Sequence, residues 1–120
     1  MVRGLRGAIS ASENSLEAIL TATSDLLAAI QAANPSLAPE DIASIFFTVT
    51  DDLDQAFPAL AARQLGWTWT PMLCAREIPV PGSLPRIVRV LIHWNTPLKQ
   101  TQMQHVYLGD AVKLRPDLST

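Results

Sequence analysis

This chain is short of the groups on which most enzymes rely. It has one cysteine, Cys74, and two histidines, His93 and His105, in 120 residues. An intramolecular disulfide is therefore excluded, and no Cys/His spacing suits a metal. A glycine-rich phosphate loop and a G-x-S-x-G elbow are both missing, which removes nucleotide cradling and serine-hydrolase chemistry from the reading. Charged residues are only 17% of the chain, against about 25% in soluble domains. With 48% apolar residues, some apolar surface is expected to lie between subunits. The net charge of −2 argues against nucleic acid or an anionic membrane as partner. The lone cysteine fits a reducing compartment, so a cytoplasmic location is expected. The first twenty residues are broken by Arg3, Arg6, Glu13 and Glu17, so no secretory signal is read. No stretch approaches the roughly 18 apolar residues that span a bilayer.

What is present reads as one mixed domain over residues 1–120, with 116–120 a mobile C-terminal tail. Val2 to Ile9 carries two glycines and no helical stripe, hence a strand that something approaches closely. Leu16, Ile19, Leu20, Leu26, Leu27 and Ile30 form a helical stripe running to about Ala33, with Asn14 and Glu17 in capping-box spacing and Asn34-Pro35 as the stop. Pro39 suits the start of a short helical turn. Ile45 to Thr50 is β-branched and aromatic, a second strand. Pro58 to Leu65 reads as a short helix ended by Gly66. Strands follow over about Thr70–Ala75, over Ile87–Trp94 after a proline-rich loop, and over His105–Leu108, then a helical turn from Gly109 to Leu114. The class is α+β, or mixed α/β, with a mostly antiparallel or mixed sheet and packed helices. Such a sheet leaves one face short of cover, which a symmetric oligomer would supply.

The chemistry-bearing residues are arginines set beside apolar runs. Arg89 interrupts Ile87-Val88-Arg89-Val90-Leu91-Ile92, which otherwise reads as a buried strand. A guanidinium keeps its proton, so a buried one needs an anion. Alternation puts Ile87, Arg89, Leu91 and His93 on one face and Val88, Val90, Ile92 and Trp94 on the other. Glu77, Asp110 and Asp117 are candidate internal partners, and an anionic ligand is the alternative. Arg6, Arg63 and Arg115 are further forks suited to carboxylates. Tyr107 adds a phenolic donor. Each histidine, taken singly, reads as a packed residue, and Cys74 as a small core residue. From these residues alone the chain is an anion-binding α/β oligomer, with catalysis, binding without turnover, and internally paired arginines all open.

A larger pattern joins these pieces. Arg3-Gly4-Leu5-Arg6-Gly7-Ala8, Phe57-Pro58-Ala59, Cys74 with Glu77, Arg89-Val90, His105-Val106-Tyr107-Leu108, Ala111-Val112 and Leu114-Arg115-Pro116-Asp117-Leu118 together resemble the small monofunctional chorismate mutases of the AroH class, from one end of the chain to the other. The resemblance implies a pseudo-barrel homotrimer with active sites between subunits, the substrate chorismate, and its Claisen rearrangement to prephenate on the route to phenylalanine and tyrosine, with no cofactor, metal or covalent intermediate. It also implies roles. Arg89 would meet the negative charge gathering on the ether oxygen. Glu77 would accept from the substrate hydroxyl and face the developing positive allyl part. Arg6 and Tyr107 would bind substrate carboxylate, with Cys74 as a contact. Phe57, Ala59 and Leu114 would wall the cleft, and Arg63 and Arg115 would stand at its rim. Leu60 stands where a lysine is expected, and Leu73 where a smaller polar residue can occur. The small trimeric imine deaminases, which also grip a carboxylate with an interfacial arginine, and a non-catalytic module binding an anionic metabolite are the competing readings.

Overall fold

Alternation of apolar and polar side chains builds a sheet with two unlike faces. The computed structural model describes residues 1–114. In chain order these form β1 (Val2–Ser10), α1 (Leu16–Ala33), β2 (Ile42–Val49), α2 (Pro58–Gln64), β3 (Met72–Arg76), β4 (Ile87–Asn95) and β5 (Val106–Leu108), with 3-10 turns at Pro39–Asp41, Gln100–Gln102 and Gly109–Leu114. The strands make one sheet in the order β3-β2-β4-β1-β5. β4 runs antiparallel to both β1 and β2, while β5 is parallel to β1 and β3 parallel to β2. The sheet is therefore mixed, and its central strand is the one that carries Arg89.

α1 covers one face. It buries Ile19, Ala22, Leu26, Leu27 and Ile30 against Leu5, Ile9, Ile45, Phe47, Val88, Val90, Ile92 and Trp94 of the sheet. Gly7 is what lets the helix come this close. A Cβ at that position would stand 2.8 Å from Ile30 Cδ1, 3.2 Å from Leu26 Cδ1 and 3.2 Å from the Val106 carbonyl oxygen. By length and composition α1 also qualifies as a helix able to cross a membrane, which corrects the expectation that no stretch is long enough. Its apolar stripe is nevertheless seated on the sheet, and Glu17, Asp25 and Gln31 interrupt the rest of its surface.

The helix start differs from the expected capping box. Ser15 is the N-cap, its hydroxyl accepting from Ala18 N at 3.1 Å. Asn14 faces the chain beyond β2, donating to Asp54 Oδ1 at 2.8 Å and accepting from Asp54 N at 3.1 Å. At the other end Asn34 stops the helix as expected and ties it to the approach to β5: its amide donates to Ile30 O and Gln104 O, and its oxygen accepts from Gln104 N. β2 starts at Ile42, earlier than expected, because a register shift between Ile42 and Ser44 lets it pair with β4 from Trp94 onward. The tail from residue 116 lies outside the described residues.

Candidate active site

The sheet face away from α1 carries the polar half of each strand. The register sets Arg6 opposite Leu91, Ala8 opposite Arg89, Thr48 opposite Arg89, Phe46 opposite Leu91, and Tyr107 beside Ala8. These residues line a cleft of about 410 Å³ with Gly7, Val90 and Leu114. Strand pairing thus gathers Arg6, Arg89 and Tyr107 from three separate parts of the sequence.

Arg89 is not buried, which corrects the sequence expectation: its side chain is 47% exposed within the single chain. Alternation assigns a side chain to a face but says nothing of whether that face is covered. Of the candidate partners, Glu77 is the one it meets. Arg89 Nε lies 3.1 Å from Glu77 Oε1, so the ion pair uses the inner edge of the guanidinium. A half-exposed pair of this kind adds at most about 1 kcal/mol to stability. Its consequence is orientation, a fork held at its base with its far end available to an anion.

Arg6 is exposed on β1, and its backbone N–H donates to His105 Nδ1 at 3.0 Å. Tyr107 and Leu114 pack against a small cluster of Ala8, Ile87 and Ala111 at one end of the open face. The 3-10 turn that brings Leu114 there begins at Gly109, where φ is +59° and a Cβ would lie 2.5 Å from Ser10 Oγ; that hydroxyl accepts from Asp110 N. Arg115 and Asp117 fall outside the described residues.

The other expected site residues gather elsewhere. Phe57 and Cys74 line a second cleft of about 500 Å³ with Val49, Leu53, Asp54, Ala56, Pro58, Leu60 and Arg76. Cys74 pairs with Phe47 across β3 and β2 and so belongs to the helix-side face, opposite to Arg89. The spacing in β3 carried that signal: Met72, Cys74 and Arg76 alternate with Leu73, Ala75 and, beyond the strand, Glu77. Phe57 is 70% exposed, whereas Ala59 is only 5% exposed and adds little wall. Arg63 is exposed in the last turn of α2. In the same cleft Asp54 is held below its ordinary carboxylate value, chiefly because the side chain of Asn14, and then that of Gln55, donates to it. The sequence reading missed Phe46, Thr48 and Leu91 as cleft residues. Their alternation was legible, but their neighbours depend on a register between distant strands.

The site's pattern extends to known proteins. The family model described as chorismate mutase type I matches residues 2–118. The chain is 55% identical over 120 residues to a protein of Thermus thermophilus named chorismate mutase AroH, covering 100% of this chain and 98% of the relative. It is 42% identical to the chorismate mutase AroH of Bacillus subtilis (strain 168), over 99% and 94% of the two chains. The solved structure of a chorismate mutase from Clostridium thermocellum superposes with a TM-score of 0.87 at 47% identity, covering 90% of this chain and 96% of that one.

Proposed function

Because the chain belongs to the type I chorismate mutase family, we propose that the open-face cleft is half of an active site where chorismate rearranges to prephenate, and that a neighbouring subunit supplies the other half. The protein is an isomerase of aromatic amino acid biosynthesis, acting on chorismate. The observation that carries the two-subunit reading is the split between the clefts. Arg6, Arg89 and Tyr107 stand in one, and Phe57 and Cys74 in another on the opposite side of the sheet. In a pseudo-barrel homotrimer the second cleft of one copy, with Arg63 at its rim, meets the first cleft of the next.

The chemistry asks for this arrangement. A pericyclic rearrangement shifts electrons within a single molecule, so neither a redox partner nor a nucleophile is required. Breaking of the ether C–O bond runs ahead of C–C formation, and negative charge collects on the ether oxygen. Arg89 supplies a preplaced cation there, and its fork can also grip a carboxylate. Glu77, paired at the base of that fork, accepts from the substrate hydroxyl and faces the positive allyl part. Arg6 and Tyr107 hold carboxylate. Phe57 and Leu114 close the walls and keep the enol-pyruvyl ether in the compact chair that the free substrate rarely adopts. Cys74 is a packing contact at the seam, and Ala59 supports α2 from beneath. The enzyme works in the cytoplasm without a cofactor.

The direct test follows the ultraviolet absorbance of chorismate with purified protein and identifies the product. Prephenate formation is expected, and an inert but folded protein would overturn the reading. The shared site has its own test. Arg89→Ala and Phe57→Ala protomers, each nearly inactive, are unfolded together and refolded. Mixed trimers would contain one seam with both residues intact and recover activity; no recovery from mixed trimers of confirmed composition would place the whole site within one chain.

A further inference from the structure

On the reading that Arg89 and Glu77 act on substrate, we propose that Asp52 is a positioning residue, which locks the backbone of Arg86 and so fixes where the Glu77–Arg89 pair stands. The loop from Glu77 to Arg86 joins β3 to β4, and both of its ends are fastened to the end of β2. At one side Glu77 N donates to Val49 O at 2.8 Å. At the other, Thr50 N donates to Ile87 O at 3.1 Å, and Ile87 N donates to Thr50 Oγ1 at 3.0 Å. The Thr50 hydroxyl in turn donates to Asp52 Oδ1 at 2.5 Å.

The key strain lies one residue before β4. Arg86 has φ +54°, the one non-glycine residue at positive φ among the described residues. A side chain there clashes with its own backbone, and the conformation persists only where surroundings impose it. Asp52 is what imposes it: Arg86 N donates to Oδ1 and Oδ2 at 3.1 and 3.0 Å. Ala11 holds the rest, its N–H donating to Arg86 O at 2.8 Å while Arg86 Nε donates to Ala11 O at 3.2 Å. Released by Asp52, Arg86 can relax to negative φ, and the direction in which the chain enters β4 changes. Arg89 lies three residues on, and Glu77 sits at the loop's other root, so their 3.1 Å contact is the first thing such a turn disturbs.

Asp52 does not itself reach the substrate cleft. It lines a cavity of about 290 Å³ under the loop, together with Thr50, Ser83, Pro85 and Glu77 itself. Its hydrogen bonds go to Arg86 N and the Thr50 hydroxyl, so its effect on rate is routed through the root of β4 to the ion pair. An ordinary surface turn, which is how Asp51-Asp52-Leu53-Asp54 reads in sequence, would carry no such effect.

The test uses steady-state kinetics on the full-length protein with chorismate. Asp52→Ala is expected to lower kcat by about ten- to a hundredfold, the scale of a small misplacement of catalytic groups. Asp52→Asn keeps one acceptor oxygen and should lose less, and Asp51→Ala should lose nothing. Two further variants separate positioning from general damage. In a Glu77→Ala background, which removes the ion pair itself, Asp52→Ala should cost little more; full multiplicative loss would overturn the proposal. Arg86→Gly, which accepts positive φ without strain, should restore most of the kcat lost by Asp52→Ala. If Asp52→Ala does not fold, Asp52→Asn and the Asp52→Ala/Arg86→Gly pair decide the matter, and wild-type kcat in Asp52→Asn overturns it. A wild-type enzyme that fails to convert chorismate would instead remove the functional reading on which the proposal rests.

Discussion

Phe46 and Phe47 are neighbours in one strand, yet one is 41% exposed and the other is fully buried. A similar contrast runs through the inner strands β1, β2 and β4. On the α1 side stand Leu5, Ile9, Phe47, Val90, Ile92 and Trp94, closed into a core. On the other side stand Arg6, Phe46, Thr48, Arg89, Leu91 and Tyr107, around an open cleft. Residue alternation therefore divides labour as well as polarity. One face holds the fold together, and the other presents charge that the fold itself does not need.

The sharpest way to break that comparison is to truncate both phenylalanines. Phe47→Ala should destabilise the protein by about 3–5 kcal/mol, the usual cost of emptying a ring-sized volume in a packed core, read as a lower denaturant midpoint. Phe46→Ala should leave the folded protomer nearly as stable and, on the proposed trimeric reading, weaken assembly, read by size-exclusion chromatography on dilution. Equal losses of protomer stability would mean that the two faces are not different in kind.

On the open face the largest expected effect is chemical. Arg89→Lys keeps a charge but loses the fork, and kcat should fall about 10²–10³-fold, as on loss of a preorganised donor to a developing anion. The folded state and thermal midpoint should barely move, since a half-exposed ion pair is worth about 1 kcal/mol or less. Near-normal turnover by a folded lysine variant would sink Arg89's role. Glu77→Gln should retain part of the rate and Glu77→Ala little, because acceptance from a hydroxyl survives in the amide. Matched losses in the two variants would count against that role.

Gly7 belongs to both faces at once, being part of the cleft lining and the point where α1 approaches the sheet. Gly7→Ala should destabilise by about 1–3 kcal/mol through overpacking, because the Val106 carbonyl at 3.2 Å is backbone and yields less readily than the tips of Ile30 and Leu26. Calorimetry would show a lowered midpoint. An unchanged one would mean that α1 can move away at little cost.

Much of this contrast was legible in the sequence, and the illegible part has a common cause. The strand over β4, the α1 stripe and the Gly109–Leu114 turn follow from local periodicity and turn chemistry, which depend on nearby residues alone. The exposure of Arg89 does not, since it depends on which sheet face α1 chooses. The alternation in β3 separates Cys74 from Glu77, but which of the two faces Arg89 depends on β3 joining β2 in parallel register. Ser15 outcompeted Asn14 as the cap because Asn14 is used by Asp54, 40 residues away in sequence. The pinning of Arg86 by Asp52 is likewise long-range, and its signature, a positive φ at an arginine, has no counterpart in composition.

The smallest effect expected concerns that Asn14–Asp54 contact, at the edge of the second cleft. Donation from Asn14 and Gln55 holds the Asp54 carboxyl below its ordinary value of 3.8, so the folded state binds this proton less tightly than the unfolded one. Its contribution to stability is then fully present above the unfolded value, and is lost as pH falls through the lowered folded one. Asn14→Ala should be slightly less stable than wild type at neutral pH, and the gap should close below about pH 3.8, once Asp54 is protonated in the unfolded and then the folded state. Urea midpoints of the two proteins across that range would show it. A gap that persists undiminished at the acid end would assign the effect to the start of α1 rather than to the charge on Asp54.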